Sequence, residues 1–363
     1  MFVYIVLFLI CFGSSILYDT KIEKKDKRTR RVFFGIIFLS CSLVQALRYD
    51  VGSDYLGTYT NLYNMIYYYP SKEVGIETAF LILYKTLIFF KLGLPWFFVI
   101  TSFVINFLFI KTIFDYNEKI SLSIFMYFFG TLYFFSMTAI RQSISIGLFF
   151  ISLKYIEEKN PKKYMLINLI GCLFHTTSII FIPLYFLFNI KLTNKILIIS
   201  VGLMVIVVPI IMPYIQKILM LTKYAKYYTV DSTEIAVGKL NLSAILNIIL
   251  YGFFVIFANK KRLEDTRMNI YCNITLCGIM VSFLGIYLPA GYRLFSAFKY
   301  TEILSVPYFL KITNYSKNKN SFSTTNLVLR CLLISMYMFY FGYSILYKNY
   351  NDCLPYKFIF EYL

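Results

Sequence analysis

The chain has 363 residues, of which 59% are hydrophobic, 20% aromatic and only 15% charged, and its mean hydropathy is +0.67. A soluble domain carries roughly 25% charged residues, so a soluble enzyme, a disordered protein and a secreted disulfide scaffold are excluded; apolar blocks too long for alternating strands exclude an outer-membrane barrel. The formal charge of +18 lies mostly in short loops between apolar blocks, where the positive-inside rule accounts for it and no nucleic-acid partner is implied.

The expected fold class is all-α: a polytopic helical membrane protein forming a single integral domain over residues 1–363, with about twelve spans, some short or broken. The first block, Phe2 to Leu17, is followed by Lys21, Lys24, Lys25, Lys27, Arg28, Arg30 and Arg31. A signal peptide has its charge in front, so the block reads as an uncleaved span with its N-terminus outside. Val32–Ala46 returns the chain outward and delivers Leu47–Glu77 to the outer face. Thr78–Ile110 reads as one crossing bent at Leu94-Pro95, which turns Arg141 outward and keeps Lys154–Lys163 inside; two crossings would reverse both. Under the first scheme Tyr164–Phe188 must be two short helices meeting near His175. Further spans are expected at Ile196–Pro213, Leu240–Ala258, Asn269–Leu288, Leu294–Leu310 and Leu327–Ile345, with Tyr214–Lys239 and the tail from Leu346 outside. The seven cysteines form no CxxC pair or Cys/His cluster, so no zinc site or disulfide framework is indicated.

Of the nine arginines, six fall in or beside inner loops; Arg48, Arg141 and Arg293 do not. A buried arginine costs about 2.5–3.5 kcal/mol even on the lenient insertion scale, so such residues usually face a polar cavity. Their planar donor forks suit phosphate, and three at one depth suggest an anion site in which pyrophosphate fits; the alternative is that each snorkels to lipid head groups. The segment from Arg48 to Tyr55 is the densest polar cluster, placing Asp50 and Asp54 around Gly52. Tyr55 and Tyr59 stand beside it as sugar-binding candidates, although tyrosines also crowd membrane interfaces. Glu77 opens the next apolar run, as a dipole partner or as a general base or acceptor contact. Gln142 adjoins Arg141, Tyr292 adjoins Arg293, and His175 is the only histidine, lying between apolar blocks. No P-loop, dinucleotide fingerprint, HExxH or GxSxG appears, so no cofactor is expected and the substrate itself supplies the energy. No transition-metal site is expected either, though Asp50 and Asp54 could hold a hard divalent ion.

The run Arg48-Tyr49-Asp50-Val51-Gly52-Ser53-Asp54-Tyr55 with Tyr59 resembles the first-outer-loop signature of EpsG-type proteins, which belong among the Wzy-like polymerases of bacterial polysaccharides. Later signs follow in the family's order: Glu77, Arg141-Gln142-Ser143-Ile144, Phe174-His175-Thr176, Arg293 after Gly291-Tyr292, and the closing Leu354-Pro355-Tyr356-Lys357. Ser53 departs from the threonine expected there. The resemblance implies a glycosyltransferase at the outer face of the bacterial inner membrane, moving a growing glycan from undecaprenyl pyrophosphate to a lipid-linked repeat unit. It implies as partners the lipid-linked oligosaccharide, the bilayer and a chain-length regulator protein. Arginines preplaced for the departing pyrophosphate would act electrostatically without a metal. His175 is assigned proton transfer, Asp54 arginine orientation or acceptor binding, with Glu77 the third candidate base. Two other readings stay open: a transferase using a polyprenyl-phosphate sugar with metal-binding acids in the first outer loop, and a lipid-linked oligosaccharide flippase, against which the lack of paired repeats speaks.

Overall fold

In the computed structural model, which describes residues 1–20, 26–71, 73–116, 118–191, 193–221, 242–258, 263–285, 291–313 and 324–361, apolar runs become helices that clip to one another through buried polar side chains. Lys21, Lys24, Lys25 and Arg262, with most of segments 214–239 and 311–326, lie outside the described residues.

The chain groups into two compact units. The first holds residues 1–185 and 328–363 with a short piece at 306–308; the second holds 186–305 and 309–327. In the first unit α1 (Phe2–Thr20), α2 (Lys27–Ala46) and α5 (Pro95–Tyr116) are long helices, and α6 (Ile120–Phe129) continues into α7 (Leu132–Thr138) through a 49° bend. Short helices α3 (Asn61–Tyr68) and α4 (Thr78–Phe89) precede α5. After α7 come α8 (Ile140–Ser152), the single turn α9 (Lys154–Glu157), α10 (Pro161–Phe174), a 3₁₀ turn (Thr176–Ile180) and α11 (Phe181–Phe188).

Side-chain clips fix the helix directions. Asp19 at the end of α1 accepts the Ser121 backbone N–H at 2.9 Å, capping the start of α6, while Tyr4 packs against Tyr133 and Phe134 of α7. Arg30 pairs with Asp115 at 2.8 Å, and Asn106 donates to Gln45 at 2.5 Å, so α2 and α5 are antiparallel. Asn168 of α10 donates to Ser152 of α8 at 3.0 Å. In consequence Arg48, the start of α5, the end of α7, the start of α8 and the end of α10 gather at one end of the unit. The other end collects Lys27, Arg28, Arg30, Arg31, Lys111, Lys154, Lys162 and Lys163.

Between the ends lies a polar layer: Gln45 donates to Ser136, Asn106 to Gln45, Tyr127 to Asn106, and Tyr133 to the Cys41 carbonyl. Satisfied polar groups of this kind are how helices recognise one another where lipid removes the hydrophobic drive.

The second unit contains α12 (Asn194–Met220), α13 (Leu242–Phe253), α14 (Thr266–Gly285) and α15 (Gly291–Lys299), with α16 (Glu302–Thr313) largely within it; α17 (Thr324–Phe341) belongs mostly to the first. Gly278 of α14 lets it close on α15, since a Cβ there would stand 2.9 Å from the Phe298 Cβ. Lys299 and Glu302, both buried, pair at 3.8 Å.

Five helices are long and apolar enough to cross a bilayer, or six with the bent α6–α7 pair, among the described residues. The expected count of about twelve crossings is not confirmed among the described residues. A 12-residue helix such as α4 measures about 18 Å against a core of roughly 30 Å, so several apolar runs are too short to cross alone. The sequence reading of Tyr164–Phe188 as two short helices matches the structure, with the break at His175, whose backbone is extended (φ −154°, ψ 118°).

Candidate active site

Three interruptions of helix bring three side chains together. Glu77 sits on extended backbone (φ −63°, ψ 143°) just before α4. Arg141 is the second residue of α8, after the break at Ala139 (φ −90°, ψ 58°). His175 occupies the break after α10. Arg141 Nη1 donates to Glu77 Oε2 at 2.7 Å, and His175 Nδ1 lies 3.1 Å from Glu77 Oε1. The side chains are 23%, 17% and 10% exposed for Arg141, His175 and Glu77, so all three are largely sheltered while the arginine and the imidazole keep an open edge.

Glu77 lies outside the spanning helices. Burial raises its pKa, but the His175 hydrogen bond and the Arg141 charge outweigh that and hold it at about 2, against 4.5 for a free carboxyl. An ionised carboxylate only accepts hydrogen bonds, so His175 Nδ1 is the donor in this contact.

The break before Arg141 is closed by one residue. The Tyr59 hydroxyl donates to the Thr138 carbonyl and accepts the Ile140 N–H, both at 2.9 Å, satisfying the two backbone groups that the interruption frees. Tyr84 donates to the Tyr59 carbonyl at 3.1 Å, and its ring stacks on Phe97. Tyr59 is therefore a buried residue with its hydroxyl committed to the main chain, where the sequence reading has it touching sugar.

Arg48 is likewise inside the protein, at 1% exposure. Its guanidinium donates to the carbonyls of Gln45, Val51 (3.1 Å) and Met137 (3.1 Å) and to Ser102, and lies 5.0 Å from the Phe98 ring centre. It ties the end of α2 to the end of α7. Tyr55 stacks flat on the other partner of this cluster, Phe98, at 4.1 Å between ring centres, and is also buried.

Gly52, at φ +102°, has its α-carbon where a Cβ would meet the Met137 carbonyl at 3.0 Å and Thr138 Oγ1 at 3.3 Å, a backbone approach only glycine makes without strain. Asp54, half-buried at the start of the π-helical turn Tyr55–Thr60, acts electrostatically on both Arg141 and Tyr59. Asp50 pairs with Lys357 at 2.8 Å. Gln142 is buried beside Arg141. Arg293, exposed, and Tyr292 belong to α15 of the second unit; the Tyr292 side chain lies outside the described ones.

The C-terminal tail is a contributor that residue chemistry alone did not single out. It lies against the Arg48–Ser53 loop through Tyr49 N–H to Lys357 O (3.0 Å), Gly52 N–H to Asp352 O (2.9 Å) and Ser53 N–H to Asn351 O (3.2 Å), while Thr138 Oγ1 donates to Asn351 O at 2.9 Å. Its legible signal is the run Leu354 to Lys357, whose similarity to a family tail marks it without giving its use.

A polytopic helical membrane protein that holds an arginine and a histidine on one carboxylate, at the end of the first unit opposite the Lys27–Arg31 and Lys154–Lys163 cluster, is the class these features define. The chain belongs to the EpsG family, whose profile matches residues 31–358, and EpsG is a family of the Wzy-like polymerase type. No curated protein and no solved structure matches it.

Proposed function

We propose that the protein is a membrane glycosyltransferase that polymerises polysaccharide repeat units at the outer face of the bacterial inner membrane. The observation that carries this reading is the Arg141–Glu77–His175 cluster. The acceptor hydroxyl oxygen attacks the anomeric carbon of the donor glycan as that carbon's bond to the pyrophosphate oxygen breaks. Undecaprenyl pyrophosphate leaves with the electron pair, and Arg141 stabilises the charge that develops on it. The hydroxyl proton passes to His175 Nε2, with Glu77 fixing the imidazole's tautomer and orientation. A carboxylate held at about pKa 2 is a poor base, which favours His175 over Glu77 for that step. Arg48 and Tyr59 act as positioning residues, and Asp54 orients Arg141.

The basic end of the first unit supports the orientation, because Lys and Arg collect on the cytoplasmic side. The test is direct: purified protein incubated with undecaprenyl-pyrophosphate-linked repeat units gives a ladder of products, and EDTA leaves it unchanged. A single unextended species contradicts polymerisation, and loss of the ladder in EDTA contradicts the metal-free mechanism.

A further inference from the structure

We propose that the cleft between the Asp50–Ser53 loop and the C-terminal tail is the acceptor-sugar subsite, and that it takes a neutral hexose or N-acetylhexosamine in preference to a uronate. The assignment rests on the polymerase reading above. The cleft measures about 320 Å³ and has Asp50, Gly52 and Ser53 on one wall and Asp352, Pro355 and Lys357 on the other. That is on the order of ten water volumes, room for roughly one or two pyranose rings.

Its chemistry suits a polyol. Ionised carboxylates accept hydrogen bonds from sugar hydroxyls, the Lys357 ammonium donates one, and Leu56 and Pro355 present apolar surface to the C–H face of a ring. Its charge gives selectivity. Lys357 neutralises Asp50 at 2.8 Å, and Asp352 leaves the cleft with one excess negative charge, which repels a carboxylate-bearing sugar.

Position ties the cleft to the chemistry. Gly52 on its wall abuts the Met137 carbonyl and Thr138, three residues before Arg141. Asp54, next to Ser53, acts electrostatically on Arg141. The walls are also preformed: Asp50 (φ 47°), Gly52 (φ 102°) and Asp352 (φ 48°) all adopt left-handed backbone, and the Gly52–Asp352 and Ser53–Asn351 hydrogen bonds hold the two strips of chain together. Such a site binds without first ordering a loop.

Saturation-transfer NMR on the full chain in nanodiscs tests this with methyl glucoside, N-acetylglucosamine and glucuronate as probes. The expected result is transfer to the two neutral sugars and markedly less to glucuronate. Asp352→Asn, an exposed isosteric change that spares the fold, weakens neutral-sugar binding about three- to tenfold, the net worth of one hydrogen bond; adding Asp50→Asn abolishes it. Neutral-sugar signals unchanged in both variants, equal transfer to glucuronate, or no transfer to any probe in the wild type would each overturn the subsite. In the product-ladder assay Asp352→Asn raises KM for the repeat unit with kcat changed less than about twofold, and a fall in kcat alone also overturns it. A wild type that binds these sugars through Asp50 and Asp352 but makes no ladder leaves the cleft standing and refutes the polymerase reading instead.

Discussion

Glu77 spends one carboxylate oxygen on Arg141 and the other on His175, so a single change should disable two groups. Glu77→Gln keeps the shape but replaces one acceptor oxygen with an NH₂ donor, which cannot serve both partners. Its turnover should fall at least about tenfold, or about 1.4 kcal/mol of transition-state stabilisation, with the protein level in the membrane unchanged. Arg141→Lys retains charge but not the planar fork and should lose a similar amount; wild-type turnover in it would reduce Arg141 to an anchor.

The pH dependence follows from the sign of the Glu77 shift. A carboxyl lowered from 4.5 to about 2 on folding contributes stability that is fully present above pH 4.5 and is lost as pH falls toward 2. Melting curves of wild type and Glu77→Gln should therefore differ by a constant amount from pH 8 to about 5 and converge below 4.5. A gap that opens only below pH 4.5 would contradict the assigned pairing.

At the scale of elements, the site depends on helices that stop in the right places. The α7–α8 break exposes Thr138 C=O and Ile140 N–H, and Tyr59 satisfies both. Tyr59→Phe leaves them buried and unpaired, at about 1–3 kcal/mol, and should lower both melting temperature and kcat while KM for the repeat unit holds; a change in KM alone would restore the sugar-contact reading. Helix closeness can be tested apart from chemistry. A Cβ at Gly147 of α8 would meet Leu108 of α5 at 2.8 Å, whereas one at Gly13 meets nothing within 4 Å. Gly147→Ala should lose about 1–3 kcal/mol by overpacking, and Gly13→Ala should lose none.

The elements were more legible than their meeting. His175 could be placed at a break because the lysines on both sides of Tyr164–Phe188 had to stay on the inner side. Arg141 stood out because arginine in an apolar run is costly. What sequence does not carry is the junction: Glu77 lies 64 residues from Arg141 and 98 from His175, and nothing local tells a carboxylate that bridges two partners from one that caps a helix. For the same reason Arg48 and Tyr59 read as ligands of substrate. Their residue types suit either use, and only packing reveals that main-chain carbonyls have taken their donors. The count of spans is not confirmed among the described residues, and hydropathy measures apolar length without registering bends such as that between α6 and α7.

Over the whole molecule, the distribution of charge predicts an orientation. Lys27, Arg28, Arg30, Arg31, Lys111, Lys154, Lys162 and Lys163 lie at the end of the first unit opposite Glu77, so a cysteine at Ser53, which is exposed, should react with an impermeant thiol reagent in intact spheroplasts, and one at Lys162 should not. The reverse pattern would invert the protein in its membrane. Membership of the EpsG family over residues 31–358 sets the type of protein, and glycosyl transfer at the Arg141–Glu77–His175 cluster is the proposal built on it. Its most direct test is the rate of ladder growth, with lipid-linked repeat units in reconstituted vesicles, for wild type against His175→Ala. The expected loss is at least about a hundredfold, as removal of a general base gives. Growth at the wild-type rate would contradict it.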